Sequence, residues 1–390
     1  MDLVRELTEY VKHASVSTDP AFKAGMDGAR EHICGLLKQA GLEVEVVPTP
    51  LHPIVLGRRR GPKEWPHIVL YGHYDVQPAD PIDLWKSGAF EPVLVDGPRG
   101  KRVVARGACD DKGQVMSFIE AFRAWIKVHG TLPCSVTVLL EGEEESGSES
   151  LEPFLEQNKA ELKADACVVS DTGMWDMETP AITTSLRGLV YLEITIHGPN
   201  KDLHSGLFGG AVPNPINVLS SIIAALHDSH RRITVPNFYD DVVETSPRVR
   251  QQWQKMGFDD NEFLGSVGLT ESFGEVDRST IERTWSRPTC DVNGIYGGYM
   301  GKGAKTVIAA HATAKVSFRL VADQDPRKII DSVRAFVQAR LPKDCRAEFT
   351  EFGVNRAFHV PDGSIFLAAA ERALNQVYTC LLYTSDAADE

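Results

Sequence analysis

Residues 134–140, CSVTVLL, form a predominantly apolar run, and residues 141–145, EGEEE, place four carboxylates directly behind it. A run of that length, rich in Val and Leu, reads as a buried strand with its charge gathered at the carboxyl end. In open α/β sheets, ligands sit at that end. Glu141, Glu143, Glu144 and Glu145 repel one another unless a positive charge lies among them or some of them face water. Two readings are open on this stretch alone: a solvated acidic loop, or a cation site with a general base beside it.

Other strand ends bear on the choice. Residues 67–71 read as a continuous strand running into GHYDVQPAD, residues 72–80. His73 and Asp75 are two apart and share a face of extended chain, so Asp75 can take the second imidazole N–H and fix the tautomer that ligates a metal. Strand-like residues 103–105 enter a Gly-containing turn with Asp110 and Asp111, and apolar residues at helical spacing follow from Val115 to Ile126. One aspartate there can cap the helix while the other ligates. Residues 166–169 form a further apolar strand ending in SDTG, with Asp171. Four strands thus end in His73, Asp110, Glu144/Glu145 and Asp171. Nitrogen and oxygen donors without thiolates suit zinc, manganese or cobalt. Calcium would want more oxygens and no imidazole.

At 390 residues the chain exceeds one ordinary core, and two domains are expected. A net charge of −13 argues against nucleic acid and anionic membrane as partners. The amphipathic N-terminus lacks the apolar core of a signal peptide, no run is long enough to span a bilayer, and the seven scattered cysteines include no C-x-x-C pair. The expected compartment is the reducing cytoplasm. Helices are expected over residues 2–15 and 20–40, a strand over 42–48, and a basic, Pro-rich bend over 57–66. From about residue 186 the pattern becomes an alternating strand, a helix over 215–227, a charged helical stretch over 240–263, a strand over 306–320, a helix over 326–341 and a strand over 346–352. That order suits an α+β sandwich.

HYDVQPAD, RGACDDKGQ, EGEEESGSE, SDTG and the later KDLHSG, in that order, resemble the co-catalytic dinuclear metallopeptidases. That family contains the aminoacylases, the glutamate carboxypeptidases and succinyl-diaminopimelate desuccinylase. The wording is most similar to that of the cytosolic, carnosinase-like dipeptidases. The resemblance implies an α/β catalytic domain, a mixed sheet flanked by helices, with an inserted α+β lid that also forms a homodimer. It implies domains over 1–185 (catalytic), 186–356 (lid) and 357–378 (start of the returning catalytic segment). It further implies that His73 and Asp171 bind one divalent ion, Glu145 the other, and Asp110 both. Glu144 would be the general base, Asp75 the partner of His73, and the Asp110–Asp111 peptide cis. In the lid, His204 would stabilise the oxyanion in the partner's site, Arg319 would grip the substrate's C-terminal carboxylate, and Thr306 and Asn293 would be lesser substrate contacts. The expected activity is hydrolysis of dipeptides or short peptides. The alternatives are an N-acyl-amino-acid amidohydrolase on the same scaffold and a dimerising or binding module with a crippled centre. The family's last metal ligand is a histidine near the C-terminus. No counterpart follows His359, and residues 379–390 do not resemble the family, so a truncated or frame-shifted chain with a weakened second ion site is expected.

Overall fold

The computed structural model describes residues 3–97, 100–361, 363–378 and 381–387. The chain divides into two compact units, Met1–Gly173 and Met174–Glu390.

The first unit runs α1 (Leu3–Val11), α2 (Lys23–Gln39), β1 (Glu43–Val47), β2 (Ile54–Arg59), β3 (His67–His73), a hairpin of β4 (Val93–Gly97) and β5 (Gly100–Val104), α3 (Lys112–His129), β6 (Ser135–Glu141), α4 (Leu151–Asn158) and β7 (Ala166–Val169). Five strands make one sheet in the order β1-β2-β6-β3-β7. The pairs β6–β3 and β3–β7 are parallel, and β2 is antiparallel to both β1 and β6. Every residue of β6 is buried, and both faces of the sheet are covered at its centre, while the edge strands β1 and β7 are largely exposed. On one face Val55, Leu70, Val136, Val138 and Leu140 pack with Tyr10, Ile33, Leu37, Met116 and Ile119 from the three long helices. On the other, Ile54, Leu56, Val69 and Leu139 meet Phe154 of α4. A strand covered on two sides has no polar face, which is why residues 134–140 show no alternation. The basic bend begins later than the sequence suggests, because Gly57, Arg58 and Arg59 belong to β2. Arg58 is accommodated there by Glu45 and Glu161, at 2.7 and 2.6 Å.

The second unit contains β8 (Ala181–His197), β9 (Leu203–His204), α5 (Ser205–Phe208), α6 (Pro215–Ala224), α7 (Pro247–Lys255), α8 (Asp260–Gly265), β10 (Thr289–Gly297), β11 (Val307–Ile308), β12 (His311–Leu320), α9 (Pro326–Gln338), β13 (Arg346–Asn355), β14 (Phe358–His359), α10 (Ile365–Leu374) and β15 (Leu382–Ala387). Its main sheet has the order β10-β12-β8-β13, all antiparallel. Leu219 and Ile222 of α6 and Ile329, Val333 and Phe336 of α9 pack on Leu192, Ile194, Ala314, Val316 and Phe318 of that sheet. Asn214 and Asp325 cap the two helices by accepting from Ile216 N and Arg327 N.

Strand β8 serves two neighbourhoods. Its residues 188–197 pair with β12 and β13, while 181–187 pair with β14 and β15. The change falls at Gly188, where a Cβ would stand 2.5 Å from both Asn355 O and Ala357 N. Residues 181–185 were not expected to be strand. The expected helical stretch 240–263 is two short helices, because Ser246 and Asp259 each cap a fresh N-terminus. Residues 357–378, expected to return to the first domain, fall within the second unit. Of the stretch 379–390, residues 382–387 form β15, and 379, 380 and 388–390 lie outside the described residues.

Candidate metal centre

The parallel register of the first unit assembles the centre. His73 stands opposite Glu141 across β3 and β6, and Tyr71 opposite Val169 across β3 and β7. The strand ends are therefore level, and the segments beyond them, 74–77, 142–147 and 170–173, leave the sheet side by side. Asp110 and Asp111 arrive at the same end ahead of α3, joined by a cis peptide bond as the resemblance implied.

His73 is fully buried. Its Nδ1 faces Asp75, 3.2 Å from the carbonyl oxygen and 3.3 Å from Oδ1. Its Nε2 lies 3.1 Å from Asp110 Oδ1 and 3.5 Å from Asp171 Oδ2, aligned with neither as a hydrogen bond. Burial pulls the imidazole pKa down, but contacts with the Asp110, Asp171 and Asp75 carboxylates outweigh it and hold it far above the ordinary histidine range. Asp110 is lowered, first by its contact with His73. Glu145 is pushed up to about 7, by burial and then by the Asp110 charge, against the hydrogen bond from Gln77. The His73 and Asp110 shifts share one meaning: the carboxylates around Nε2 favour positive charge there.

The four glutamates behind β6 divide into two pairs. Glu141 is buried, and its Oε1 accepts from Tyr71 Oη at 2.5 Å and Ser148 Oγ at 3.0 Å. Glu143 is buried as well, accepting from His52 N (2.8 Å), Thr49 Oγ1 (3.2 Å) and Ser150 N (3.0 Å). These two brace the loop. Glu144 and Glu145, in a single 3-10 turn, reach the centre. Ligand atoms of His73, Glu144 and Asp171 lie within 4.8 Å of one another, as do those of His73, Asp110 and Glu145.

Asp111 takes the N-cap position of α3 without making a capping hydrogen bond. Its Oδ2 accepts from His73 N at 3.1 Å, so it holds the backbone of β3 at the centre. Burial raises its pKa to about 7. Glycine is required at position 72, where a Cβ would come within 2.5 Å of that same Oδ2 and 2.7 Å of Val115. Asp75 also accepts from Glu145 N at 3.1 Å, tying the glutamate turn to β3. Gln77, which sequence reasoning passed over, donates to both oxygens of Glu145; the HYDVQPAD motif was its only signal.

The residues fit a pair of divalent cations. An orphaned, buried imidazole nitrogen aims into two carboxylates, two overlapping donor groups share His73, and every donor is N or O. The imidazole is oriented from behind by the Asp75 backbone carbonyl, with the Asp75 carboxylate at 3.3 Å; a carbonyl or carboxylate behind the ring is the arrangement metal-ligating histidines use.

The second unit holds the remaining candidates. His204 in β9 pairs with Val307 in β11; its Nδ1 accepts from Gly206 N at 3.0 Å and its Nε2 lies 3.3 Å from Thr306 Oγ1. Arg319 is half-buried in β12, opposite Leu189 and Thr289. Asn293 sits at the bulge of β10.

An imidazole-centred nest of carboxylates at the carboxyl end of a mixed sheet is suited to holding divalent cations. The chain belongs to peptidase family M20/M25/M40, whose model matches residues 69–388, and it is a metallopeptidase. It is 31% identical over 356 residues to the Cys-Gly metallodipeptidase DUG1 of Candida albicans, covering 87% of this chain and 73% of that one. It is 30% identical over 359 residues to the Beta-Ala-His dipeptidase of Rattus norvegicus, covering 90% and 71%. Among solved structures, the M20 family metallo-carboxypeptidase Sso-CP2 from Sulfolobus solfataricus superposes with a TM-score of 0.82 at 31% identity, over 99% of this chain and 86% of that one.

Proposed function

We propose that this chain hydrolyses the peptide bond of dipeptides and short peptides with a free carboxylate, using two divalent ions held by His73, Asp110, Glu145 and Asp171. The observation that carries the proposal is the buried His73 Nε2, without a hydrogen-bond partner and facing Asp110 and Asp171. Zinc is the preferred ion on the donor set, with manganese or cobalt as substitutes. The dipeptidase names of the relatives support the substrate class.

When bound, the ions supply a water of lowered pKa and polarise the scissile carbonyl. The protein's own groups do the rest. Asp75 fixes the His73 tautomer, Asp111 holds the backbone of the same residue, and Asp110 would help to hold both ions. Glu144 takes the proton of the attacking water and delivers it to the leaving amine. Arg319 offers a guanidinium fork suited to a carboxylate, and His204, with Thr306 beside it, would donate to the oxyanion in the partner's site. In functional terms residues 1–185 carry the catalytic machinery and 186–356 the lid, with 357–378 belonging to the catalytic part. The lid is also the homodimer surface we propose, supported by exposed Val292, Ile295, Tyr296 and Met300 on and beside β10. Among the described residues no helix is long and apolar enough to cross a membrane, and we place the enzyme in the cytoplasm.

The test is a panel of Cys-Gly, β-Ala-His, other dipeptides and N-acetyl amino acids, assayed with the protein stripped by chelator and then resupplied with zinc, manganese or cobalt. Dipeptide hydrolysis that vanishes on stripping and returns on resupply is expected. Faster cleavage of N-acetyl amino acids than of any dipeptide would replace this reading with the amidohydrolase one.

A further inference from the structure

The short segment leaving β3 is held more firmly than a loop needs to be. Val76 is fully buried, its N–H donates to Ser15 O at 2.9 Å, and it bridges Val16 in parallel. Ser15 Oγ donates to Tyr74 O at 2.7 Å. The Pro78 carbonyl accepts from Arg106 Nη2 at 3.1 Å. Gly107, at φ +79°, lets the next turn close on Val76, where a Cβ would stand 2.7 Å from Val76 Cγ1. From this braced segment Gln77, beside Asp75, reaches the metal centre. Gln77 N donates to Glu145 Oε1 at 3.2 Å and Gln77 Nε2 to Glu145 Oε2 at 2.5 Å, while Asp75 Oδ2 accepts from Glu145 N.

We propose that Gln77 is a positioning residue that sets the Glu145 carboxylate for the ion shared with Asp110, a proposal that rests on the metal-centre reading above. Two donors from one residue, one to each oxygen, fix both the position and the plane of the carboxylate. A carboxylate oxygen has two lone pairs, so each oxygen keeps one for a cation. A free glutamate in a 3-10 turn would sample several rotamers and lose entropy on ligating; the Gln77 clamp removes part of that cost in advance. Groups that orient a ligand in this way are worth about 10- to 100-fold in metal affinity. Gln77 is exposed, which places its effect at the lower end.

The experiment is a zinc titration of metal-free protein against a chromophoric chelator, on the wild type, Gln77→Ala, Gln77→Glu, Glu145→Gln and Asp171→Ala. The last two variants identify which binding step each ligand supports. Gln77→Ala should weaken the Glu145 step about tenfold and leave the Asp171 step within about twofold. Gln77→Glu, nearly isosteric but setting carboxylate against carboxylate, should weaken the Glu145 step further. Gln77→Ala combined with Glu145→Gln should be no worse than Glu145→Gln alone, because only a residue acting through Glu145 behaves so. If Glu145→Gln shifts a step and Gln77→Ala does not, or if Gln77→Ala weakens both steps alike, the inference about Gln77 is wrong while the centre stands. If Glu145→Gln shifts no step, the reading of the centre fails and the role of Gln77 with it.

Discussion

Glu144→Gln is expected to lower kcat by about 10³-fold, within the range that proton transfer by a positioned side chain contributes, while metal content and thermal stability stay near wild type. Glu144 and Asp171 each bring an oxygen atom within 4.8 Å of a ring nitrogen of His73, so the Glu144 carboxylate is close enough to serve a water at the centre. Glutamine keeps the shape and removes the base. The neighbouring residue supplies a control of opposite kind. Glu143 is buried and accepts from His52 N and Ser150 N, so Glu143→Ala leaves those buried donors unmatched, at about 1–3 kcal/mol for such a group. It should lower stability and impair activity only through the fold. A denaturation curve and a metal assay on both variants separate the two behaviours. Full turnover in Glu144→Gln would mean that another group is the base.

The second large effect is predicted for the other unit. Arg287 and Glu275 are buried and joined twice, Nε to Oε2 at 2.7 Å and Nη2 to Oε1 at 2.8 Å. Arg287 also reaches Glu244 at 3.1 Å, and Glu244 takes a two-pronged bond from Arg278 at 2.7 and 2.8 Å. The guanidinium also stands over the ring of Tyr239 at 5.3 Å, and that ring packs against the core of the unit. This network ties together the long excursion between α6 and β10, to which all five residues belong. Removing one partner of a buried pair costs about 3–5 kcal/mol, because the other charge is stranded without water. Arg287→Ala is therefore expected to lower the stability of the second unit by that amount in a denaturant titration. Replacing both partners, as in Arg287→Met with Glu275→Leu, should recover most of the loss. A single variant as stable as wild type would show that the pair is solvated.

Local pattern carried the catalytic sheet a long way. The run of β6 was readable because a strand covered on both faces must be apolar throughout, and α3 because its apolar residues keep helical spacing, whereas β7, equally apolar in sequence, is an edge strand with Cys167, Val168 and Val169 exposed. The approach of His73, Glu145 and Asp171 followed from each standing beyond the end of a strand of the sheet; Asp110, expected at a strand end too, instead comes in ahead of α3, well past the end of the separate hairpin strand β5. What stayed hidden depends on distant partners. Nothing local singles out Glu143 among its neighbours; its bracing role comes from His52 and Ser150, which donate to it from elsewhere in the fold. Arg58 looks like part of a solvated bend until Glu45 and Glu161 are seen beside it. Asp111 looks like a helix cap, yet it holds His73 from the neighbouring strand. The early start of β8 at Ala181 reflects pairing with β14 and β15, more than 170 positions away, and residues 289–297 gave no strand signal that survived their two glycines.

The most direct measurement is the metal content of purified protein by elemental analysis after mild dialysis, on the wild type and on His73→Ala. Bound zinc, manganese or cobalt in the wild type, largely lost when this one imidazole is removed, is the predicted result, since His73 belongs to both donor groups. Wild-type protein without metal above background, or the same content in His73→Ala, would contradict the metal centre and the hydrolytic function built on it.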